Sequence, residues 1–259
     1  MLGCAHPAHL RLWLGAVAAS SDNRIDFHRS EWGSMSEDSV AIQDRVLSAL
    51  HPDREAPAPA KWQQRKSARM RDRLVRAAVD CLVEGGYAGL TTAAVATACE
   101  VSRGAMHHHF PTRMELVAAV VDHVVYHRMR TFLADYFAAV DRRTSEPLIE
   151  LACEAHWRSV QTDEYAAWLE LAASARTDAE LAAIFDPAAR RYDEVWTSEM
   201  IEAFPQWEDH WDLLKLAHDF ISAIHAGMLL HAPVFGAGER MARLQGFAAR
   251  TMQELYEKR

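Results

Sequence analysis

The stretch GLTTAAVATACEVSRGAMHHHF, residues 89–110, decides the fold, because it has the pattern of two short helices joined by a tight turn. Thr91 and Ser102 each stand where a helix N-cap hydroxyl accepts a hydrogen bond from a free backbone N–H. An apolar residue precedes each of them and another follows four positions later, which is the spacing of a hydrophobic staple. Only residues 99–101 separate the two helices, so the pattern predicts a helix-turn-helix at about residues 91–110.

Longer helices are predicted on both sides of this motif. Residues 64–84 place apolar side chains on one helical face and end at Gly85 and Gly86, a common termination signal. From Trp62 onward the apolar spacing is helical, and no run alternates apolar and polar residues as a strand does. The prediction is therefore an all-α protein. Further helices are predicted at 113–140, 145–162, 164–175, 177–203, 208–231 and 238–257.

The distribution of charge separates a basic segment from an acidic one. The 259 residues have a formal net charge of −8, yet residues 61–130 contain eleven Lys and Arg against six Asp and Glu. Residues 131–259 contain twelve Lys and Arg against twenty-two Asp and Glu. This asymmetry suggests a part that faces nucleic acid, followed by a separate body.

Three segments follow from these patterns. Residues 1–60 are predicted to be an N-terminal extension, largely disordered or a linker with one short helix at 38–50, because residues 51–61 are proline-rich. Residues 61–125 are predicted to form the helix-turn-helix domain, and residues 126–259 a larger helical bundle. No run approaches the roughly 20 apolar residues of a membrane span, and four dispersed cysteines without a CxxC pair fit a reducing cytoplasm.

Three consecutive histidines, His107, His108 and His109, raise the question of a metal site. Adjacent helical residues point in different directions and only residues three or four apart share a face, so these three cannot converge on one ion. The sequence also contains no phosphate-binding glycine loop, no HExxH and no GxSxG, and no local nucleophile with an orienting partner. We therefore expect no enzyme activity, no cofactor and no metal site.

The longer string EGGYAGLTTAAVATACEVSRGAMHHHFPTRMELVAAVV, residues 84–121, resembles the DNA-binding domain of the TetR/AcrR family of bacterial transcriptional regulators. The resemblance rests on the order of five elements: a glycine followed by an aromatic residue, a threonine cap, Val-Ser-Arg-Gly, His-His-Phe-Pro and a basic residue. It covers about residues 65–125. It implies that the second short helix lies in the major groove of double-stranded DNA.

The resemblance implies DNA contacts at seven positions. Arg103 and Gly104 would begin the recognition helix, and His107 stands where the family usually has a tyrosine directed at the DNA backbone. Arg113 matches a phosphate contact at the start of the next helix. Glu100 departs from the family, which often has glycine in the turn. The full set is Thr91, Thr92, Arg103, Gly104, His107, His108 and Arg113.

For residues 126–259 the resemblance implies a ligand-binding and dimerisation domain. Its last two long helices are expected to form a homodimer. Aromatic side chains are numerous enough to line an apolar pocket, and packing in the core is the alternative for each of them. The pocket candidates are His156, Trp157, Trp168, Tyr192 and Trp196.

These implications predict a cytoplasmic, ligand-responsive regulator that binds a double-stranded DNA operator as a homodimer. We expect a repressor that a small apolar or aromatic effector of unknown identity releases from its operator. Two alternatives remain open. One is an α-helical small-molecule-binding protein or enzyme with a vestigial helix-turn-helix, and the other is a dimeric DNA-binding regulator that responds to no ligand.

Overall fold

The computed structural model describes residues 37–51, 62–142, 148–203, 205–236 and 238–257, and every regular element in these ranges is helical. This confirms the predicted all-α fold. The elements are α1 (Glu37–Leu50), α2 (Trp62–Gly89), α3 (Thr92–Ala98), α4 (Arg103–His109), α5 (Arg113–Arg142), α6 (Leu148–Ser159), α7 (Asp163–Ala175), α8 (Ala179–Ala203), a 3-10 helix (Pro205–His210), α9 (Trp211–Leu230), α10 (Ala232–Phe235) and α11 (Glu239–Glu257).

The chain divides into two compact units that interleave along the sequence. The first, which we call the helix-turn-helix unit, comprises Leu47–Arg128 and Asp163–Glu194. The second, which we call the cavity unit, comprises the described residues up to Val46, those between Met129 and Thr162, and those from Val195 onward. The predicted boundaries at residues 60 and 125 stay predictions, since the structural units are not contiguous segments.

In the helix-turn-helix unit, α2 packs against α7 and α3. Its buried face consists of Leu74, Val75, Ala78, Val79, Leu82 and Val83. The regular helix is interrupted at Gly86, whose φ of 67° and ψ of −178° are non-helical, which agrees with the predicted termination at Gly85 and Gly86, and a short helical segment follows to Gly89. A Cβ at this glycine would lie 3.1 Å from Glu170 Oε1, which also accepts a hydrogen bond of 3.0 Å from the Tyr87 N–H. Glycine is therefore favoured at this position for two reasons: it adopts a positive φ without strain, and it has no Cβ to obstruct the close approach of Glu170 of α7.

In the cavity unit, α9 and α11 pack against each other and against α6. One apolar cluster joins the three helices through Cys153, Ala217, Ile221, Ala248, Ala249 and Met252. A second lies at the other end of α9 and contains Met228, Ala232 and Met241. Both clusters include residues of α9 and α11, so these two helices share apolar contacts at two places along their length.

Helix α1 confirms the short helix predicted at 38–50. In the cavity unit Ser39 Oγ donates to Asp141 Oδ1 at 3.1 Å, and Arg45 Nε donates to Glu199 Oε2 at 2.8 Å. In the helix-turn-helix unit Arg191 donates to the carbonyls of Ala49 and Leu50, which are at the end of α1. Helix α1 is therefore packed, whereas residues 1–36 and 52–60 of the predicted extension lie outside the described residues.

One helical stretch within the described residues, Glu208–Leu230, is long and apolar enough by composition to cross a membrane, with a mean hydropathy of 1.3. This single stretch is weak evidence, because core helices of soluble proteins pass the same test. Asp212, Lys215 and Asp219 interrupt it, and only 28% of the apolar window is buried within the chain. Much of its apolar surface therefore has no cover within the described part of this chain.

Candidate functional site

The two predicted N-caps begin the helices of the helix-turn-helix. Thr91 Oγ1 accepts a hydrogen bond of 3.1 Å from the Ala94 N–H at the start of α3. Ser102 Oγ accepts one of 3.1 Å from the Ala105 N–H at the start of α4. Each hydroxyl satisfies a backbone donor that would otherwise have no partner in its helix.

The turn between α3 and α4 bends through Glu100, whose φ of 53° lies in the left-handed region. The Glu100 N–H donates to the Thr97 carbonyl at 3.0 Å, and the Val101 N–H donates to the Ala96 carbonyl at 2.9 Å. This is the Schellman pattern of helix termination, in which glycine normally occupies the position of Glu100. The strain expected from a glutamate in this turn is therefore present, at a cost of roughly 1–2 kcal/mol.

One side of α4 faces solvent and the other packs inward. Arg103, Gly104, His107 and His108 are all exposed. Met106 is 2% exposed, and it anchors the helix to the unit. The exposed side is therefore the side that the resemblance assigns to DNA.

Thr92 of α3 lines a shallow surface depression together with Arg103 and His107 of α4. Thr91 and Thr92 are half-buried at the rim of this surface. The depression thus brings together three of the seven predicted contact residues, Thr92, Arg103 and His107. A Cβ at Gly104 would lie 3.9 Å from Ser102 Oγ, which is an ordinary van der Waals distance, so the surface of this glycine is open.

Two arginines of α2 support the motif. Arg71 Nη1 donates to the His109 carbonyl at 3.0 Å, and its guanidinium lies 4.3 Å from the centre of the Phe110 ring. Arg73 Nη2 donates to the Cys99 carbonyl at the end of α3. Cationic side chains on the last carbonyls of a helix are favourable, so these contacts hold the C-terminal ends of α3 and α4.

Arg113, the seventh predicted contact, is engaged within the unit. Its Nε donates to the Leu90 carbonyl at 2.8 Å, its Nη2 to the Tyr87 carbonyl at 2.7 Å, and its Nη1 to the Tyr87 hydroxyl at 3.1 Å. The guanidinium also lies 4.2 Å from the centre of the Tyr87 ring. Burial raises the pKa of the Tyr87 hydroxyl, although the bond from Arg113 opposes this. Arg113 therefore ties the start of α5 to the segment that precedes α3, and its phosphate contact stays a prediction.

A cavity of about 90 Å³ lies within the cavity unit. Phe132 and Trp196 meet there edge to face, with ring centroids 5.2 Å apart, and Trp196 stacks on His218 at 4.7 Å. The lining is largely apolar and aromatic, and its polar side chains include His156 and His218. Further lining residues are Tyr136, Cys153, Trp211 and Met252.

His156 of the cavity lining and the buried His225 are paired through their Nδ1 atoms at 2.8 Å. His225 Nε2 lies 2.6 Å from Gln245 Oε1, and Gln245 Nε2 donates to the Cys153 carbonyl, which fixes the orientation of the amide. Because an amide oxygen only accepts, the neutral His225 carries its proton on Nε2 and accepts at Nδ1 from His156. Burial lowers the pKa of His225 to about 4, and the bond to Gln245 opposes this.

The five predicted pocket residues lie in three places. His156 and Trp196 line the cavity. Trp157 contacts the His225 ring at 5.1 Å and packs against the apolar cluster at the end of α9. Trp168 and Tyr192 belong to the helix-turn-helix unit, where they surround a guanidinium.

That guanidinium is the side chain of Arg128, which no sequence pattern singled out. Its carbon lies 4.1 Å from the Trp168 ring, 4.7 Å from Tyr165 and 4.9 Å from Tyr192. Its Nε and Nη1 are buried without a hydrogen-bond partner in the described part of the chain, so the aromatic faces stabilise the charge. Burial raises the pKa of both tyrosines, against the opposing effect of the arginine.

Comparison with known proteins agrees with this geometry. Residues 74–120 match the family described as bacterial regulatory proteins, tetR family. This range contains α3, α4 and the start of α5, with their caps and the turn between them. This segment, 47 of the 259 residues, is therefore similar to the tetR family.

Two proteins that are similar to part of this chain are named as transcriptional regulators. The HTH-type transcriptional regulator CymR of Pseudomonas putida is 42% identical over 62 residues, which are 24% of this chain and 30% of that protein. An uncharacterized HTH-type transcriptional regulator of Mycobacterium tuberculosis is 33% identical over 73 residues, 28% of this chain and 37% of the relative. The chain thus matches about a third of the length of each relative.

Solved structures of TetR proteins share the fold over a larger part of the chain. A putative TetR-family transcriptional regulator from Mesorhizobium loti has a TM-score of 0.55 at 17% identity, covering 73% of this chain and 96% of the other. The multidrug binding protein EbrR, complexed with imidazole, has a TM-score of 0.53 at 17% identity and covers 71% and 93%. These similarities support the fold of the cavity unit as well as that of the motif.

Proposed function

We propose that this protein is a cytoplasmic, homodimeric transcriptional regulator that binds a double-stranded DNA operator and responds to a small apolar effector. The observation that carries the proposal is the solvent-exposed side of α4, where Arg103, Gly104, His107 and His108 lie next to the N-terminus of α3. A helix of this kind presents its N-terminal residues to base edges in the major groove. Repression, with release by the effector, is the direction of control that we propose.

Each exposed residue has a role that its chemistry allows. Arg103 supplies a forked donor, which suits the two acceptors on a guanine edge. Gly104 leaves room for close approach of the backbone to DNA. His107, His108 and Thr92 supply hydrogen bonds at the flanks, and Thr91 lies at the N-terminus of α3, where backbone N–H groups favour a phosphate. Arg113 contributes by holding α5 against the motif.

Dimerisation through α9 and α11 follows from the apolar surface that these helices leave uncovered. Leu216 is 60% exposed, Leu230 is 68% exposed and Phe247 is 63% exposed. Exposed apolar surface of this kind marks an interaction site. A second copy of the chain is the occupant that the TetR family favours, and two copies would present their recognition helices to major grooves about 34 to 36 Å apart.

Arg103→Ala is expected to weaken binding to the preferred duplex by about tenfold to a hundredfold and to relax base preference, because a base contact is lost. The preferred duplex is first selected from random double-stranded DNA, and affinity is then measured by fluorescence anisotropy at several salt concentrations.

Arg190→Ala, an exposed arginine of α8 far along the chain from the motif, is the matched control and should bind as the wild type does. The same titrations give the stoichiometry, for which we expect two chains on each selected duplex. Wild-type affinity and preference in Arg103→Ala, or selection of no duplex at all, would contradict the proposal.

The cavity suggests the size and chemistry of the effector. A volume of about 90 Å³ with aromatic walls suits a single ring, whereas pockets for drug-sized ligands are usually about 300–1,000 Å³. The hydrogen bonds described above place the proton of neutral His156 on Nδ1, which gives its Nε2 the character of an acceptor. We therefore propose a monocyclic aromatic effector, with a hydroxyl group as the favoured polar substituent.

Toluene and phenol are expected to bind the protein and release it from the selected duplex, while naphthalene is expected to do neither. Binding is measured through the fluorescence of the cavity tryptophans Trp196 and Trp211. Ala152→Leu fills the cavity and should lower affinity for the single-ring probes by about tenfold or more while DNA binding persists. Ala183→Leu, at an exposed position of α8, is the control. If Ala152→Leu and Ala183→Leu bound the single-ring probes with equal affinity, the cavity would not be the effector site.

The cavity also bears on the two alternatives. A regulator that ignores ligands needs no void, and a filled core would have favoured it. For an enzyme, the most nucleophilic group of the lining would be Cys153, and burial raises the pKa of its thiol to about 12. A thiol that stays protonated is inert as a nucleophile, so the cavity supports a binding role rather than a catalytic one.

A further inference from the structure

The helix-turn-helix unit contains a cluster of metal-ligating side chains that neither the DNA-binding surface nor the cavity uses. His123 and His127 lie one turn apart on α5, with ring centroids 4.0 Å apart. Glu164 lies in the first turn of α7. One ligand atom from each of the three can be chosen so that all lie within 4.8 Å of one another.

From this geometry we infer a binding site for a divalent transition-metal ion, with Zn²⁺ as the ion that its chemistry favours. Two imidazole nitrogens and one carboxylate oxygen are a ligand set that zinc accepts, at about 2.0–2.2 Å from the metal. Tetrahedral coordination at these lengths places ligand atoms about 3.4 Å apart. Binding of the ion would bring the three ligand atoms, now within 4.8 Å of one another, to this spacing.

The surroundings distinguish this cluster from an ordinary group of surface side chains. His123 is 2% exposed, and His127 and Glu164 are half-buried. Tyr165, which follows Glu164, is buried, and the guanidinium of the neighbouring Arg128 lies against three aromatic rings.

Three protein ligands leave one position of a tetrahedral ion open. Water, or an anionic or nitrogen-containing small molecule, would complete the coordination. The ion would also cross-link α5 to α7. His123 is ten residues after Arg113, which places the site about 15 Å along α5 from the start of that helix. A metal here would therefore fix the packing of the helix that follows the DNA-binding motif.

The test uses the full chain without an affinity tag, stripped of metal with a chelator and titrated with Zn²⁺ against a chromophoric competitor. The wild type is expected to bind one tight equivalent. His127→Ala and Glu164→Gln should each weaken that equivalent by about tenfold or more. The control His231→Ala removes an exposed histidine outside the cluster and should retain it. Circular dichroism of the metal-free variants shows whether they are folded.

A second measurement covers the case in which a variant fails to fold. Zinc X-ray absorption spectra of the wild type are expected to show two imidazole ligands and oxygen in the remaining positions, and thermal melting should shift upward with Zn²⁺. No stoichiometric binding, equal binding by the ligand variants and the wild type, or a spectrum without imidazole would overturn the inference. None of these measurements contains DNA, so their outcome is independent of the operator experiments.

Discussion

Arg113→Ala is expected to lower the free energy of unfolding by about 2–4 kcal/mol, the largest effect we foresee for a polar residue of the motif. The substitution removes hydrogen bonds to the carbonyls of Leu90 and Tyr87 and to the Tyr87 hydroxyl, together with the contact to the Tyr87 ring. Hydrogen bonds from a charged group are worth about 1.5–3 kcal/mol each, and they are not additive. Urea unfolding followed by circular dichroism measures the loss.

The comparison with Arg103→Ala separates positioning from DNA contact. Arg103 is exposed, so its removal should change stability by less than about 0.5 kcal/mol while DNA binding falls. Arg113→Lys should be intermediate, because one ammonium cannot reproduce a planar fork that reaches three acceptors. If Arg113 acted only on a DNA phosphate, Arg113→Ala would have the same free energy of unfolding as the wild type, and only the salt dependence of its DNA affinity would fall.

The helix-turn-helix was predictable because its signals are local. The capping hydroxyls of Thr91 and Ser102 act within three residues of their own position, so spacing along the chain was sufficient to locate α3 and α4. The strained turn at Glu100 was also foreseeable, because the family pattern has glycine there. Burial of Met106 and exposure of its neighbours on α4 follow from helical periodicity alone.

The partners of long-range side chains could not be predicted in the same way. Arg113 donates to backbone carbonyls, which every residue possesses and no sequence pattern marks. At the start of a helix, the sequence pattern is the same for an arginine that braces the fold and for one that contacts a phosphate. The structure shows the bracing contacts of Arg113, and its phosphate contact stays a prediction.

The aromatic residues show a similar limit. Trp168 and Trp196 both occur in helical patterns, yet the first packs on Arg128 and the second lines the cavity. Sequence indicates that both are inside, but the direction in which each points depends on the rotation of its helix. The sequence does contain a local signal for a histidine pair. HVVYH, residues 123–127, places two histidines four apart on one helical face, whereas the three histidines at 107–109 are adjacent and point in different directions.

The buried histidine pair is expected to make the cavity unit sensitive to acid. Burial holds the pKa of His225 at about 4 in the folded protein, whereas an unfolded histidine titrates at about 6.5. Between these values the unfolded chain binds a proton that the folded chain does not, so stability falls as pH drops from about 6.5 to about 4. At 1.36 kcal/mol per pH unit the loss amounts to about 3 kcal/mol, and it can be measured by urea unfolding at a series of pH values.

His225→Gln should remove most of this dependence, because no imidazole then remains between His156 and Gln245 to take up the proton on unfolding. His231→Gln, at an exposed histidine of the same region, controls for the loss of one imidazole. Gln245→Leu removes the acceptor that favours the charged ring, so it should extend the acid-sensitive range below pH 4. A wild-type slope in His225→Gln would mean that another group carries the acid response. Because His156 also lines the cavity, protonation of His225 in the folded protein, near pH 4, should disrupt the pair and weaken binding of the single-ring probes.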